Sequence, residues 1–167
     1  NPKGTLPALR LDDGSVLTEF GAIAYWLARR HPRAGLLSDD PLLAARTLGL
    51  LDHVVGTVHG QGWTRVFTPE AYLPAGLPEE ERRRWTEAVQ ARGRAIVAQA
   101  FEIIETVLPD EGFAMGPRIY IADAALFYVL FWADKTALAL PPRCAALYAR
   151  LRALPVVQRV LAEEGYR

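Results

Sequence analysis

Over most of the chain, apolar residues recur three or four positions apart, which is the spacing of one face of an α-helix. Stretches rich in turn residues, at 31–39, 68–78 and 109–117, separate the helical segments. The pattern predicts six helices: Glu19–Arg30, a long one from Pro41 to the loop at 68–78, Glu79–Leu108, Tyr120–Leu140, one from Pro141-Pro142 to about Ala153, and one from Leu154-Pro155 to Gly165.

The stretch Tyr120–Leu140 is the most apolar part of the chain, with no charged residue between Asp123 and Asp134. We expect this helix to be buried on all sides, as the centre of an all-helical domain. Asp123, Asp134 and Lys135 interrupt it, so the pattern favours a core helix over a membrane span. Asp123 follows Tyr120 by three positions, where a carboxylate can accept from free backbone amides. A structural role is therefore expected for Asp123.

The beginning of the chain has a different pattern. Thr5–Leu11 and Ser15–Thr18 are predicted to be short strands joined by Asp12-Asp13-Gly14, because Asp-Gly is typical of hairpin turns. Thr18 is the expected N-cap of the helix that follows. Its apolar face is predicted to consist of Ala22, Ile23, Trp26 and Leu27. Two strands alone are marginal in water, so a larger sheet or a helix must cover them.

Two further helices have well-marked features. Asp40 is the expected cap of the helix from Pro41, whose apolar positions are Leu43, Leu50, Leu51, Val54 and Val58. The same helix contains four glycines, and each weakens it by roughly 1 kcal/mol relative to Ala: Gly49, Gly56, Gly60 and Gly62. Because glycine lacks a side chain, we expect these positions to allow close packing or a bend. The helix Glu79–Leu108 has its apolar face at Trp85, Val89, Ile96, Ala100, Ile103, Ile104 and Val107.

Composition narrows the class of protein. Of 167 residues, 51% are apolar, which excludes a disordered chain, and 19 basic residues balance 19 acidic ones. No global field therefore attracts nucleic acid or an anionic membrane, and the charge run Glu79–Arg84 is interpreted as a solvated helix face. Cys144 is the only cysteine, which excludes an internal disulfide and favours a cytoplasmic location. We expect neither a signal peptide nor a transmembrane segment from this sequence.

Several kinds of chemistry are poorly supported. Neither Ser15 nor Ser38 lies in the G-x-S-x-G turn of a hydrolase, and Gly60–Arg65 lacks the third glycine of a dinucleotide fingerprint. The three histidines, His31, His53 and His59, do not have metal-ligand spacing. Cys144 is expected to be a packed thiol rather than a nucleophile.

One feature suggests a binding site. Thr18-Glu19 opens a helix directly after a strand, so the free amides of its first turn could bind a carboxylate or phosphate. The alternative is an ordinary N-cap followed by a Glu that the helix dipole favours. Leu6-Pro7 precedes the first strand, and Pro at that position leaves edge backbone groups free to pair with an extended ligand.

Together, these residues resemble the cytosolic glutathione transferases of bacterial type. The resemblance rests on Asn1-Pro2-Lys3-Gly4, Leu6-Pro7-Ala8-Leu9, Leu11-Asp12-Asp13-Gly14, Leu17-Thr18-Glu19, Ala22-Ile23, Gly116, Ala122-Asp123 and Leu154–Arg159. It implies a mainly α protein, in which residues 1–31 are the C-terminal part of a thioredoxin-like glutathione-binding domain and residues 40–167 an all-α C-terminal domain. It also implies an upstream segment, consistent with an opening that has turn composition and no initiator Met.

The resemblance implies a site as well. The backbone of Leu6, before a cis Pro7, would pair with the cysteinyl part of glutathione, the cosubstrate. Glu19 and the amide of Phe20 would hold the γ-glutamyl end, and His59, Trp63 and Arg65 would line a second-substrate pocket. The family's catalytic Tyr, Ser or Cys lies upstream, so residues 1–167 alone are expected not to conjugate glutathione.

Two departures from the family pattern leave the function open. Phe20 replaces the usual Ser, Thr or Gly, and Tyr120 replaces the usual capping Ser or Thr. The first hypothesis is a homodimeric transferase that joins the glutathione thiol to a small hydrophobic electrophile. The alternatives are a non-catalytic binding or assembly module of the same fold, and a glutathione-dependent isomerase, lyase or reductase.

Overall fold

The structure, a computed structural model, describes residue 1 and residues 3–166. In chain order it contains strands β1 (Ala8–Arg10) and β2 (Val16–Thr18) and helices α1 (Phe20–Arg30), α2 (Pro41–His53), α3 (Thr64–Phe67), α4 (Glu79–Val107), α5 (Ile121–Lys135), α6 (Pro142–Arg152) and α7 (Pro155–Glu163). A π-helical segment, Val54–Trp63, joins α2 to α3, and short 3₁₀ turns occupy Pro32–Ala34 and Pro69–Tyr72. The predicted fold class, mainly α with a small α/β part at the start, is confirmed.

The two strands form the predicted antiparallel hairpin, with Ala8 opposite Thr18 and Arg10 opposite Val16. Asp13 stabilises the turn by accepting a 2.9 Å hydrogen bond from the Ser15 amide, and Gly14 adopts a left-handed φ of 83°. The first strand is shorter than predicted. Pro7 precedes it and has no N–H to donate, so strand pairing begins only at Ala8.

Helix α1 begins one residue later than predicted, and its buried face is a different one. Ala28 is its buried residue, and Phe20 and Ala24, at four-residue intervals, pack against the core. Leu27 is 38% exposed, and it lines a cleft with Trp26 on the side of the helix near β1. The helix has apolar residues on two sides, and the periodicity selected the side nearer the sheet rather than the side against the helical core.

The long helix from Pro41 begins as predicted, with the Asp40 side chain accepting a 2.7 Å hydrogen bond from the Leu43 amide. Leu50, Leu51, Val54 and Val58 are buried. The ten-residue π-helical segment in its middle was not predicted. Only part of the glycine prediction is confirmed: Gly62 lies close to α4, whereas Gly49 and Gly56 face open space.

Helix α4 matches its predicted bounds to one residue, but the predicted apolar face is partly wrong. Trp85, Ile103 and Val107 are 48%, 51% and 57% exposed. The buried positions are Gly93, Val97, Ala100, Phe101 and Ile104. The buried stripe is narrower than the apolar stripe because α4 packs mainly against the π-helical segment and α3 along one line.

Helix α5 is the core of the helical array, as predicted: of its fifteen residues, only Ala124, Asp134 and Lys135 are exposed. It ends five residues earlier than expected. Ala137 adopts a left-handed φ of 54°, and the Leu138 amide donates to the Ala133 carbonyl at 2.9 Å. This closing turn satisfies carbonyls at the helix end and redirects the chain before Pro141.

The predicted role of Asp123 is confirmed and extended. Its carboxylate is fully buried and accepts 2.8 Å hydrogen bonds from the amides of Tyr120 and Ala114. The first bond caps α5, and the second fixes the preceding loop to the helix start. Burial raises the pKa of Asp123, although the two amides act in the opposite direction.

Candidate functional site

The hairpin register brings two of the predicted site segments together. Ala8 and Thr18 are the last pair at one end of the ladder, so Leu6-Pro7, just before Ala8, and Glu19-Phe20, just after Thr18, adjoin the same end of the hairpin. The Leu6–Pro7 peptide bond is cis, as expected, and Leu6 is 88% exposed. Its backbone therefore lies at an open edge beside the start of α1.

The start of α1 has the geometry of an anion site. The first intrahelical bond is donated by the Ile23 amide to the Glu19 carbonyl, at 3.0 Å, which leaves the amides of Phe20, Gly21 and Ala22 without an intrahelical acceptor. Among the residues that the structure describes, no side chain caps this helix and Glu19 is its N-cap, so the prediction that Thr18 is the N-cap is wrong. Glu19 occupies the N-cap position with a φ of 72°, in a region that non-glycine residues rarely adopt.

The Glu19 side chain has a basic partner within the same region. Its Oε1 atom lies 2.5 Å from Lys3 Nζ, and both side chains are more than half exposed. Exposed ion pairs contribute about 0–1 kcal/mol, so this contact is weak enough to be exchanged. A ligand ammonium group could replace the lysine at this carboxylate.

An aromatic cluster lies next to the start of α1. We define it as Phe20, His59, Phe67, Tyr128 and Trp132. The Phe20 ring lies 5.8 Å from the Tyr128 ring, and the His59 ring lies 5.9 Å from Tyr128 and 5.5 Å from Trp132. Phe67 extends the cluster at 5.1 Å from Trp132. The cluster thus runs from the start of α1 across α5 to the end of α3.

Burial controls the charge of the polar members of this cluster. It lowers the pKa of His59, so the imidazole is mainly neutral at pH 7. It raises the pKa of Tyr128 to about 12, so the phenol stays protonated. The cluster is therefore an uncharged, mainly apolar surface with a few polar atoms, a composition suited to a small apolar ligand.

The three residues expected to line a second pocket occupy different environments. His59 is half-buried and belongs to the aromatic cluster. Trp63 is fully buried, and it stacks on Phe67 at 5.3 Å, supporting the cluster from behind. Arg65 points to the side, where its guanidinium lies 4.3 Å from the centre of the Tyr72 ring and donates to the Gln61 carbonyl. Only His59 is in direct contact with Tyr128.

Sequence reasoning missed Tyr128, Trp132 and Phe67. Tyr128 and Trp132 are one turn apart on α5, a spacing that indicates a shared face. Because every face of that helix is apolar, the sequence does not distinguish a face toward a site from one toward the core. The distinction depends on which face meets α1 and the π-helical segment.

Other candidate chemistry is absent from the described part of the chain. Cys144 is fully buried, and burial together with the nearby Glu105 carboxylate raises its pKa to about 12, which makes it an inert core thiol as expected. Within residues 1 and 3–166, no three His, Cys, Asp or Glu side chains are grouped as a metal site. The helices in the same residues all fall short of the length and apolarity that a membrane crossing requires.

A separate cleft of about 760 Å³ lies between α2 and α4. Its walls include Leu43, Leu50, Ile103 and Val107, and none of the predicted site residues lines it. The Nε2 atom of His53, at its edge, is buried without a hydrogen-bond partner in the described residues.

Comparison with known proteins relates both parts of this architecture to one family. Residues 1–30 match the family model of the glutathione S-transferase N-terminal domain, and residues 87–154 match that of the C-terminal domain. The chain is 35% identical to glutathione S-transferase GstA of Escherichia coli O157:H7, over 100% of this chain and 77% of that protein. It is 33% identical to maleylacetoacetate isomerase of Pseudomonas aeruginosa, over 84% of this chain and 62% of that protein.

Solved structures agree. A glutathione transferase homologue from Sulfitobacter, determined with bound glutathione, superimposes with a TM-score of 0.83 at 25% identity, covering 100% of this chain and 77% of that one. One assignment follows from the open cis-proline edge, the start of α1, the buried capping carboxylate of α5 and the similarity to GstA along the whole of this chain. The chain belongs to the glutathione S-transferase family.

Proposed function

We propose that the protein is a glutathione transferase that binds glutathione between the Leu6–Pro7 edge and the start of α1. We call this region, Leu6, Pro7, Glu19 and Phe20, the cradle. In it, the free backbone of Leu6 pairs with the cysteinyl part of the ligand. The Glu19 carboxylate accepts from the α-ammonium group of the γ-glutamyl end, and the first-turn amides of α1 bind its α-carboxylate.

One observation carries this proposal: α1 starts without a side-chain cap, beside an exposed carboxylate and an open backbone edge. An ordinary N-cap residue would use one of those amides for itself. Here Glu19 has a positive φ and leaves those amides uncapped, and its carboxylate makes an exposed ion pair with Lys3. The arrangement presents acceptor and donors together, as a zwitterionic amino-acid end requires.

The aromatic cluster supports the second half of the proposed reaction. Its rings are uncharged and lie beside the cradle, with Phe20 belonging to both. A small hydrophobic electrophile held against them would be within the region that the glutathione thiol reaches. In the reaction, the thiol gives its proton to solvent, the sulfur forms a bond to the electrophilic carbon, and the bond from that carbon to its leaving group breaks, so that the leaving group departs with the electron pair.

A second reaction is compatible with the same cradle. The relative from Pseudomonas aeruginosa is a maleylacetoacetate isomerase, so glutathione could instead act as a cofactor for isomerisation. The two reactions differ in what happens to glutathione: a transferase consumes it, whereas an isomerase regenerates it. Assaying thiol loss with an aryl halide and isomerisation of maleylacetoacetate in parallel separates them.

The cradle is tested by calorimetric titration of the full-length protein with glutathione. Glu19→Ala is expected to weaken binding more than tenfold, about 1.4 kcal/mol or more, because it removes the acceptor for the ligand ammonium. Asp12→Ala, which removes an exposed carboxylate from the hairpin turn, is the matched control and should leave the affinity unchanged. Equal affinities for the unaltered protein and Glu19→Ala would reject the cradle.

We also propose that the protein is a homodimer that associates through α2 and α4. Leu42, Ile103 and Val107 are all more than half exposed, and the last two border the cleft between these helices. A second copy would remove this apolar surface from water. Sedimentation at tens of micromolar should give a dimer, and Ile103→Asp should dissociate it.

Val160→Asp is the control for that substitution, because Val160 is similarly exposed, at 48%, but lies on α7. It should leave the dimer intact. This interface would be rejected if the unaltered protein sedimented as a monomer, or if Ile103→Asp and Val160→Asp changed the fraction of dimer equally.

A further inference from the structure

Phe20 is the first residue of α1, and its two ends face different parts of the molecule. Its backbone amide is one of the three first-turn donors without an intrahelical acceptor. Its side chain is half-buried and packs against the hydrophobic core. The same residue therefore belongs to the cradle through its backbone and to the aromatic cluster through its ring.

The ring of Phe20 is held in a defined place. It meets the Tyr128 ring at 5.8 Å and an interplanar angle of 62°, an edge-to-face geometry. Tyr128 is itself fixed by His59 at 5.9 Å and Trp132 at 5.2 Å. Tyr128 is thus packed on several sides, which holds in place the ring against which Phe20 lies.

We propose that Phe20 is a specificity-determining residue that limits the electrophile to small, single-ring or acyclic molecules. Its ring is the member of the aromatic cluster that is carried by a cradle residue, so an electrophile held against the cluster and next to the cradle would lie against it. This inference rests on the proposed transferase function. A small side chain at position 20 would leave the cradle amide in place and open space for about one further ring.

The test compares two electrophiles with the same reacting centre, benzyl chloride and 1-(chloromethyl)naphthalene. In both reactions a C–S bond forms, the C–Cl bond breaks, chloride leaves and the thiol proton passes to solvent. For the full-length protein, we compare the kcat/KM for 1-(chloromethyl)naphthalene divided by that for benzyl chloride. Phe20→Ala should raise this ratio by about tenfold or more, because a pocket too small for the larger of two substrates disfavours it by about that factor. Phe20→Leu should give an intermediate ratio.

Phe127→Ala is the matched control. Phe127 is also a half-buried phenylalanine, but its ring neighbours are Tyr148 at 5.9 Å and Phe131 at 6.0 Å, neither of which belongs to the cradle or the aromatic cluster. Its substitution should leave the ratio unchanged even if it lowers stability. Titration with S-benzylglutathione and S-(1-naphthylmethyl)glutathione gives a second readout, in which Phe20→Ala should selectively tighten binding of the naphthyl ligand.

The outcomes separate this inference from the proposed function. If glutathione binds and both halides react, but the ratio is the same with Phe, Leu and Ala at position 20, or changes equally in Phe127→Ala, then only the role of Phe20 is overturned. If the unaltered full-length protein neither binds glutathione nor consumes it with either halide, the proposed function is overturned together with this inference.

Discussion

Gly62 and Gly93 lie against each other where the end of the π-helical segment crosses α4. A Cβ atom on Gly93 would be 2.8 Å from the Gly62 carbonyl oxygen, and one on Gly62 would be 2.5 Å from Val97 Cγ2. Only glycine at both positions permits this separation of the two helices. The contact fixes the segment that carries His59 and Trp63 against the longest helix of the protein.

Gly93→Ala should therefore destabilise the protein by about 1–3 kcal/mol, as overpacking does, because the new methyl group meets backbone that cannot turn aside. Gly49→Ala is the control, since a Cβ there meets nothing within 4 Å, and it should stabilise α2 by about 0.5–1 kcal/mol. Chemical denaturation of both variants measures the difference. If Gly93→Ala and Gly49→Ala both changed the free energy of unfolding only slightly, the π-helical segment and α4 would be able to move apart at little cost.

Asp123→Ala should lower the free energy of unfolding by at least about 2 kcal/mol, since it removes the cap of α5 and leaves the buried Ala114 amide unpaired. Asp40→Ala removes an exposed cap that accepts one bond, from the Leu43 amide, and should cost about 1 kcal/mol. Thermal or urea unfolding provides the comparison. A loss at Asp123 no larger than that at Asp40 would show that the bond to Ala114 contributes nothing.

Leu130→Ala tests the core position of α5. Leu130 has no exposed surface, so the change should cost about 2–5 kcal/mol through lost burial and the cavity it leaves. Val160→Ala is the control at a 48% exposed position on α7, outside the proposed dimer interface, and should cost under about 0.5 kcal/mol. A Leu130→Ala variant within that lower range would contradict the placement of α5 at the centre.

Stability should fall as the pH decreases below about 6.5, the ordinary pKa of histidine, in part because of His59. Burial lowers the pKa of His59 in the folded state, so between the two values the unfolded chain binds more protons. Protonation then favours unfolding, and this contribution to stability is present above pH 6.5 and lost as the pH falls.

Replacing the imidazole in His59→Gln should make the free energy of unfolding less dependent on pH between 7 and 5. The exposed His31→Gln is the control and should retain the slope of the unaltered protein. A slope unchanged in His59→Gln would mean that His59 is not the group responsible.

Local features of the sequence determined where several helices and the hairpin begin and turn. Asp40 before Pro41 fixed the start of the long helix, and Asp123 three residues after Tyr120 fixed the start of α5, because capping needs only a side chain and the amides of one turn. Asp13-Gly14 fixed the hairpin for the same reason. The motifs around Leu6-Pro7 and Thr18-Glu19 were enough to indicate the family.

The tertiary structure decided which apolar faces are buried. Periodicity marks the apolar sides of a helix but not which of them meets another helix. It therefore predicted that Ile103 and Val107 are buried, whereas both are more than half exposed. The π-helical register depends on how Val54–Trp63 packs against α4, through the approach of Gly62 to Gly93. The meeting of Phe20 with Tyr128, more than a hundred residues apart in sequence, likewise exists only because α1 and α5 pack together.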